Sequence, residues 1–454
     1  MTTVEFFGGI GVIGSSKIMI STPEARVLLD MGLDIPAEHD LFRAPVRERP
    51  GFELRDRLTV GFAPEIPGVY DPSQLDPGAT LSRPDHRPTA VFLSHAHLDH
   101  DGALGFVRPD VPIYAHPDTA LLEAAIAVSG TAGPGNQPEL TPMTTPVTVG
   151  DITVEAVPVD HDVPGACGFL VTTREGTLAY TGDLNFHRDG GRLSQGFVER
   201  VRGVDMLVTE TTMLSFDVPA DASAWEPRSE SAVLDLAAEA MTRAPGLALV
   251  SMYVRDVDRA ARFIARAAAH GRTLVWPGQA AALLHNMGVE GVVTWDGSRP
   301  QTRCHTEAVA RAETCSGGSI RTVGLEAVRD SPSSYLIQPD VSDVPSLLDL
   351  PLVGPCRLNG TFVPFIHAQG EPLGPFMANW STYIEWLERL DVTFVGVGSS
   401  GHATGEALHK MVMDIHPGVV APIHGFRPEA LQVDVPRLVP EYGNLYTLDG
   451  KTLP

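Results

Sequence analysis

The sequence has few cysteines and no long apolar run. Its 454 residues include four cysteines, and these show no paired spacing. This usage excludes a disulfide scaffold and a cysteine-based zinc finger. No stretch approaches the roughly 18 consecutive apolar residues of a membrane span, and the N-terminus lacks a basic segment followed by an apolar one. We therefore expect a cytoplasmic protein that does not enter membranes. The cysteines are Cys167, Cys304, Cys315 and Cys356.

Lysine is also scarce, and acidic residues outnumber basic ones. The chain has three lysines, 33 basic residues in all and 56 acidic residues, which give a formal net charge of −23. Proteins that bind long polyanions by releasing counterions usually carry the opposite sign. The composition therefore argues against a nuclease that grips long strands. Four arginines recur at helical spacing: Arg255, Arg259, Arg262 and Arg266. Two interpretations stay open for them, a solvated helix face or a surface that contacts phosphate.

The order of apolar runs predicts an α/β protein in two parts. A chain of 454 residues exceeds the usual size of one domain. Strand and helix patterns alternate from residue 89, and after about residue 213 the alternation is typical of a second unit with a parallel sheet. Residues 36–89, rich in proline, glycine and charge, predict a long loop. We predict a first domain at 1–213, an inserted domain at 214–380 and a return segment at 381–454.

Glycines cluster near the start of the chain, at positions 8, 9, 11 and 14. No amphipathic helix follows them, which argues against a dinucleotide-binding fingerprint. They predict instead that the backbone approaches another segment closely beside a site.

The densest chemical signal is the segment SHAHLDH, residues 94–100, directly after an apolar β-run. It offers four potential metal ligands, His95, His97, Asp99 and His100. In an extended segment, His95 and His97 point to one side while Asp99 and His100 turn the other way. One loop could therefore serve two adjacent metal ions. Imidazole and carboxylate donors together favour zinc over magnesium or calcium.

Three further candidates lie at the ends of β-runs: His161 in VDHDVPG, Asp183 in YTGDLN and His424 in APIHG. Each residue alone has an ordinary explanation as a hydrogen-bonding group in a loop or core. Together with the 94–100 segment, they complete two coordination spheres that share one carboxylate. The set therefore predicts a two-metal site.

The residues from His95 to His100 resemble the HxHxDH signature of the metallo-β-lactamase superfamily, whose later ligands occur in the same order as here. Glu210 in LVTETT, His402 in GSSGHATGEAL and His424 in PIHGFRPEA are similar to motifs A, B and C of the β-CASP subgroup. Residues 396–429 are most similar to ribonuclease J. The resemblance implies an α/β fold, namely a metallo-β-lactamase αββα sandwich with an inserted α/β β-CASP cap domain.

The resemblance also implies two Zn²⁺ ions, with Mn²⁺ as the alternative metal, and assigns the ligands. His95, His97 and His161 would hold one ion, Asp99, His100 and His424 would hold the other, and Asp183 would bridge both. The reaction implied is attack of an activated water on a phosphodiester, in which Asp99 and Asp183 belong to the catalytic set.

Two more groups complete the implied site. His402 would protonate the departing oxygen or bind a non-bridging oxygen, and Glu210 would orient it. Ser399 and Ser400 would offer hydroxyl and backbone N–H donors to a neighbouring phosphate. Histidine at motif C is typical of RNA-processing members of the subgroup, so we expect a short or single-stranded RNA as partner.

Two functions stay open at this point. One is cleavage of RNA phosphodiester bonds, as exonuclease or endonuclease. The other is hydrolysis of a small phosphodiester, a cyclic nucleotide or a lactone, which suits a net charge of −23 better. A non-enzymatic binding protein is less favoured, because the ligand set is complete. About 30 residues follow His424, fewer than we expect for ribonuclease J, and this leaves a homodimer open.

Overall fold

The chain forms two compact units in a computed structural model that describes residues 1–34, 41–42, 46–217, 227–297, 303–352, 362–377 and 379–454. The first unit comprises Met1–Glu123, Ala132–Val218 and Gly401–Pro454. The second comprises Ala124–Thr131 and Pro219–Ser400. None of the helices in the described ranges has the length and hydropathy that crossing a bilayer requires.

The strands are short, and both units contain them. In chain order they are β1 (Thr3–Phe6), β2 (Ile18–Ser21), β3 (Arg26–Leu29), β4 (Thr89–Leu93), β5 (Ile113–Ala115), β6 (Leu140–Pro142), β7 (Val147–Val149), β8 (Ile152–Pro158), β9 (Cys167–Thr173), β10 (Gly176–Tyr180), β11 (Met206–Glu210), β12 (Ala248–Met252), β13 (Thr273–Trp276), β14 (Val293–Trp295), β15 (Arg321–Val323), β16 (Tyr335–Ile337), β17 (Pro364–Ala368), β18 (Thr393–Gly396), β19 (Val419–Ile423) and β20 (Leu445–Tyr446).

The helices alternate with these strands. In chain order they are α1 (Glu53–Thr59), α2 (Leu98–Asp101), α3 (Pro117–Ser129), α4 (Arg192–Arg200), α5 (Glu230–Arg243), α6 (Val257–Ala269), α7 (Gly278–Asn286), α8 (Arg303–Ser316), α9 (Leu325–Asp330), α10 (Trp380–Arg389) and α11 (Gly405–Ile415). Residues 36–89, predicted to form a long loop, contain α1 in their described part, and residues 36–40 and 43–45 lie outside the described residues.

Two sheets form the centre of the first unit. Their strand orders are β20-β1-β2-β3-β4-β5-β6 and β19-β11-β10-β9-β8-β7. Both sheets contribute to one core, where the rings of Phe92 and Phe169 meet edge to face with centroids 6.0 Å apart. On β4, Phe92 faces this core while the neighbouring Val91 and Leu93 face a second apolar cluster that includes Leu54 of α1. Burial on both faces explains why the last four residues of β4, from Ala90 to Leu93, are all apolar. The predicted α/β sandwich is confirmed.

Polar side chains emerge at one edge of the second sheet. Strands β10, β11 and β19 are parallel neighbours, with Tyr180 paired to Val208 and Glu210 paired to Ile423. Because parallel neighbours end at the same edge, the residues that follow β10 and β19 lie beside Glu210. The first sheet delivers the 94–100 segment directly after β4.

The second unit contains one sheet with the strand order β15-β14-β13-β16-β12-β17-β18. Its strand pairs are parallel, as the strand–helix alternation predicts. The second compact unit extends to Ser400, whereas the predicted inserted domain ends at residue 380. The reason is that β18 pairs with β17, from Pro364 and Thr393 to His367 and Gly396. The apolar pattern of β18 would suit either unit's sheet.

The four arginines expected to share one helix stripe have different environments. Arg255 precedes α6 and is buried, and Arg259 is buried in an ion pair with Glu230 of α5, with Nη2 2.5 Å from Oε1. Arg259 also donates a hydrogen bond to the carbonyl oxygen of Ala368. Arg255 and Arg259 therefore form neither a solvated face nor a wall for phosphate. Arg266 pairs at the surface with Asp235 at 3.0 Å.

The buried and exposed pairs on α6 predict unequal stability effects. Arg259→Ala should lower the free energy of unfolding of the second unit by about 3–5 kcal/mol, because it removes the guanidinium that pairs with the buried Glu230 carboxylate. Arg266→Ala, the matched control on the same helix, should cost about 1 kcal/mol or less. Urea denaturation followed by tryptophan fluorescence measures both, since the five tryptophans lie between residues 225 and 386. Equal losses of unfolding free energy for the two variants would contradict the assignment of Arg259 to a buried ion pair and of Arg266 to an exposed one.

Candidate metal centre

Two groups of donor atoms that match the expected ligand sets lie together in the first unit, beside a third group formed by Asp183, Glu210 and His402. Within each group the ligand atoms lie within 4.8 Å of one another. The first group is His95, His97, His161 and Asp183, and the second is Asp99, His100, Asp183 and His424. Asp183 belongs to both groups. The seven residues expected to hold metal are thus brought into one cluster, with the carboxylate that was expected to bridge at its centre.

The second group is the tighter one. Nε2 of His100 lies 3.1 Å from Oδ2 of Asp183 and 3.1 Å from Nε2 of His424. Nε2 of His424 is in turn 3.0 Å from Oδ2 of Asp99. In the first group, Nε2 of His161 lies 3.3 Å from Nδ1 of His97.

A helical turn separates the donors of the 94–100 segment. His95 directly follows β4, His97 is the N-cap of α2, and Asp99 and His100 lie within that helix. We expected an extended backbone to direct His95 and His97 away from Asp99 and His100. The start of α2 after His97 separates these two pairs instead. Glycine makes room for this turn, since a Cβ on Gly32 would lie 1.6 Å from the carbonyl oxygen of Asp99. Gly14, at φ +88°, approaches Asp99 closely, as predicted for the glycine cluster.

Neighbouring groups hold the imidazoles in orientation. Oδ2 of Asp30 lies 2.7 Å from Nδ1 of His100 and also accepts hydrogen bonds from the hydroxyls of Tyr180 and Ser94. Nδ1 of His161 donates to the carbonyl oxygen of Gly401 at 2.8 Å. A hydrogen bond at one ring nitrogen places the lone pair of the neutral ring on the other nitrogen. These contacts therefore direct Nε2 of His100 and His161 toward the cluster.

Burial and charge set the protonation of the cluster. Burial lowers the pKa of His95 well below its ordinary value and that of His97 to about 4. Burial would also lower the pKa of His100, but the carboxylates of Asp183, Asp99 and Asp30 raise it well above its ordinary value. The pKa of Asp183 is held well below its ordinary value by His424, His100 and His402, against the effect of burial. A cation would therefore meet neutral His95 and His97 and would displace a proton from His100.

The donor set fits divalent cations. His95 and Asp183 are almost fully buried, and Nε2 of His95 and Oδ1 of Asp183 make no hydrogen bond to the part of the chain that the structure describes. Buried polar atoms without a partner are costly, and a bound cation would satisfy both. Imidazoles with a few carboxylates suit Zn²⁺, and a larger share of oxygen would suit Mn²⁺.

His402 and Glu210 form a pair at the margin of the cluster. Nδ1 of His402 lies 3.2 Å from the Glu210 carboxylate and 3.7 Å from Oδ2 of Asp183. Glu210 is buried at the end of β11 and accepts hydrogen bonds from the backbone N–H groups of Leu184 and Thr212. Although burial opposes it, the charges of Glu210 and Asp183 raise the pKa of His402 to about 10. His402 is therefore an imidazolium at neutral pH.

The two serines expected to bind phosphate belong to the second unit. Ser399 is buried, and its hydroxyl accepts a hydrogen bond from the backbone N–H of Arg228 at 2.8 Å. Ser400 is half-buried. Their part in binding phosphate stays a prediction.

Sequence reasoning missed two side chains that contact the cluster. Oγ1 of Thr212 lies 2.8 Å from Nδ1 of His424. Asp162 lies beside His161 and His97. The tripeptide Asp160-His161-Asp162 was a signal for Asp162, because a carboxylate next to a candidate ligand in the sequence can lie beside its imidazole. No such pattern surrounds Thr212.

Comparisons with known proteins identify similar proteins for part of the chain. A profile described as a β-lactamase superfamily domain matches residues 66–289. The chain is 29% identical to ribonuclease J of Mycobacterium tuberculosis over an alignment of 244 positions that covers 49% of this chain and 41% of that protein. It is 30% identical to ribonuclease J of Pyrococcus abyssi over an alignment of 153 positions that covers 29% of this chain and 33% of that protein. The chain thus spans less than half the length of the curated relatives it matches.

One solved structure is similar over its whole length. A crystal structure of a protein of unknown function from Enterococcus faecalis matches 100% of both chains with a TM-score of 0.77 and 25% identity. The likeness therefore extends to both units.

The environment of His402 predicts a titration that can be observed directly. In the metal-free protein, Glu210→Gln should lower the pKa of His402 from about 10, because it removes the nearest negative charge. Two-dimensional NMR of ¹⁵N-labelled histidine against pH measures this value. Asp118→Asn, which removes an exposed carboxylate beside His116, is the control and should leave His402 unchanged. An ordinary pKa for His402 in the unsubstituted protein would contradict the conclusion that Glu210 and Asp183 stabilise its imidazolium.

Proposed function

This chain belongs to the metallo-β-lactamase superfamily and is similar to ribonuclease J, and we propose that it is a dizinc hydrolase that cleaves RNA phosphodiester bonds. The proposal depends on one observation, that two groups of donor atoms share the buried carboxylate of Asp183. A shared carboxylate between two cation sites is the arrangement that two-metal hydrolases use at a phosphodiester.

In this proposal His95, His97, His161 and Asp183 hold one Zn²⁺, and Asp99, His100, Asp183 and His424 hold the other, with Mn²⁺ as the alternative. When bound, such ions lower the pKa of a water molecule and neutralise charge on a phosphoryl group. Asp30 keeps the His100 ring oriented, and Gly401 does the same for His161 through its carbonyl oxygen. These contacts keep the two imidazole rings in the orientation that metal binding requires, and their loss would lower the affinity for the metal ions.

His402 handles the proton at the departing oxygen. Its imidazolium lies beside the cluster, 3.7 Å from Asp183, and Glu210 fixes Nδ1, which leaves Nε2–H for the substrate. An imidazolium can donate a hydrogen bond to a non-bridging phosphoryl oxygen or a proton to the leaving oxygen. Glu210 acts through His402 and is a positioning residue.

We assign the second unit as the β-CASP cap and its residues Ser399 and Ser400 as donors to a neighbouring phosphate. The parallel sheet of the second unit and the resemblance of Glu210, His402 and His424 to the β-CASP motifs support this assignment. A short or single-stranded RNA in the cytoplasm is the substrate that the resemblance to ribonuclease J favours.

A second candidate function rests on charge. A formal net charge of −23 opposes the binding of a long polyanion. Hydrolysis of a small phosphodiester or a cyclic nucleotide would need the same donor groups without a long anionic binding surface.

The substrate class can be tested directly. The purified chain, loaded with Zn²⁺ or Mn²⁺, should release nucleotides or fragments from a short 5′-monophosphorylated single-stranded RNA. A cyclic dinucleotide and bis(4-nitrophenyl) phosphate serve as small phosphodiesters in parallel reactions. Turnover of the small diesters with intact RNA would overturn the ribonuclease proposal and support the second candidate.

Variants separate the chemical step from metal binding. His402→Gln should lower kcat on the turned-over diester about 10²–10⁴-fold, because it removes the proton donor, while the metal content stays at that of the unsubstituted chain. Asp183→Asn should lower both metal content and kcat. Plasma mass spectrometry of the dialysed proteins gives the metal content. Loss of metal in His402→Gln would show that His402 is a ligand and not a proton donor.

A further inference from the structure

The first unit contains a buried lysine that the proposed hydrolysis does not use. Lys17, one of three lysines in the chain, is 3% exposed. Its Nζ atom donates two hydrogen bonds, both to Ser15, at 2.8 Å to the hydroxyl and 3.2 Å to the carbonyl oxygen. An ammonium group has three hydrogens to donate, and Lys17 forms no ion pair with a carboxylate in the part of the chain that the structure describes. A buried charge without a close counter-charge is costly, so we expect a ligand at its third N–H.

Lys17 lines a small cavity together with a buried arginine. The cavity has a volume of about 20 Å³, and the charged side chains in its wall are Lys17, Arg57 and Asp34. Arg57 is 5% exposed, and its Nε and Nη2 atoms each lie 2.6 Å from Oε1 of Glu48. Nη1 of Arg57 makes no hydrogen bond to the described residues. Both cationic side chains in the wall therefore have N–H groups to spare.

The charges around the cavity favour an anion. The pKa of Lys17 is about 8, because burial lowers it, Asp34 raises it in part and the charge of Arg57 lowers it again. Lys17 therefore carries its charge at neutral pH and is repelled by a second cation in the same wall. The half-buried Asp34 forms no ion pair with either cation among the described residues. An anion that contacts Lys17 and Arg57 would offset their repulsion and accept the spare hydrogen bonds.

The volume of the cavity limits the size of the anion. A space of about 10–15 Å³ holds one water molecule, so about 20 Å³ admits a single particle of that size or slightly larger. Much of the remaining wall is apolar and includes Phe62, Pro64 and Phe106. A phosphate or sulfate ion has five heavy atoms and is too large. A monatomic anion fits both the size and the charge.

We propose that Lys17 and Arg57 bind one chloride ion in this cavity. The inference goes beyond the proposed function, since neither residue belongs to the groups of metal donors. It requires neither a bound metal nor an RNA substrate.

The segments that form the cavity also support helix α2. The backbone N–H of Ser16 donates to the carbonyl oxygen of Asp99 at 3.2 Å, and that of Met31 donates to the carbonyl oxygen of His100 at 2.8 Å. Met31 and Lys17 both line the cavity. A chloride ion there holds together the two segments against which α2 lies. We therefore expect chloride to raise the thermal stability of the first unit.

Thermal denaturation in two salts tests the proposal. The full chain is heated in a calorimeter in sodium chloride and in sodium gluconate at equal ionic strength, because gluconate is too large for the cavity. The Tm should rise as chloride replaces gluconate and then saturate, by about 2–4 °C when chloride is at about ten times its Kd. An equal Tm in the two salts at every concentration would overturn the proposal.

Matched variants locate the effect of chloride. Lys17→Met removes the charge, keeps a side chain of similar length and should abolish the difference between the two salts. Lys451→Met, which removes an exposed lysine of the same unit, should keep that difference in full. Chloride that acted through bound metal ions would act equally in Lys17→Met, because this variant keeps every metal donor. A difference that persists in Lys17→Met would therefore overturn the proposal.

Bromide identifies the ligand without any variant, and this measurement decides the question if Lys17→Met does not fold. Crystals of the unsubstituted chain grown with sodium bromide are measured at wavelengths above and below the bromine absorption edge. We expect an anomalous peak in contact with Nζ of Lys17 and with the guanidinium of Arg57. The absence of a peak there would show that water occupies the cavity and would overturn the proposal.

Discussion

Burial of the Asp183 carboxylate is the constraint on which the rest of the site depends. Asp183 is 1% exposed at the end of β10, and a carboxylate removed from water is costly unless positive charge compensates it. Imidazoles approach it from the 94–100 segment and from His424, and the His402 imidazolium lies at the margin. The parallel ends of β10, β11 and β19 deliver the carboxylate, Glu210 and His424 to one place. The proposed two-metal hydrolysis depends on this compensation of the Asp183 charge by the surrounding imidazoles and by bound cations.

Much of this arrangement could be predicted from the sequence. The HxHxDH segment is dense enough to identify on its own, and His161, Asp183 and His424 each follow an apolar β-run, so their grouping follows from where strands end. The apolar run before the histidines was correctly predicted to be a strand, β4. The α/β class followed from the alternation of strand and helix patterns, whereas the αββα sandwich was implied by the resemblance. That the seven residues act as ligands stays a prediction.

Other features could not be read from local patterns. The membership of β18 in the second sheet depends on pairing with β17, and an apolar strand does not specify its partner. Helical spacing placed Arg259 on a surface stripe, whereas its partner Glu230 is 29 residues earlier in the chain, in α5. The contact of Asp162 with two imidazoles depends on the absence of a side chain at Gly401, some 240 residues later. Long-range packing decides each of these cases.

The most direct test of the central claim is a crystal structure of the chain grown with Zn²⁺ and measured at wavelengths above and below the zinc absorption edge. The account predicts two anomalous peaks that both contact Asp183, one among His95, His97 and His161 and the other among Asp99, His100 and His424. Two peaks without contact to Asp183, a single peak, or none would contradict the claim that this carboxylate is shared between two metal ions.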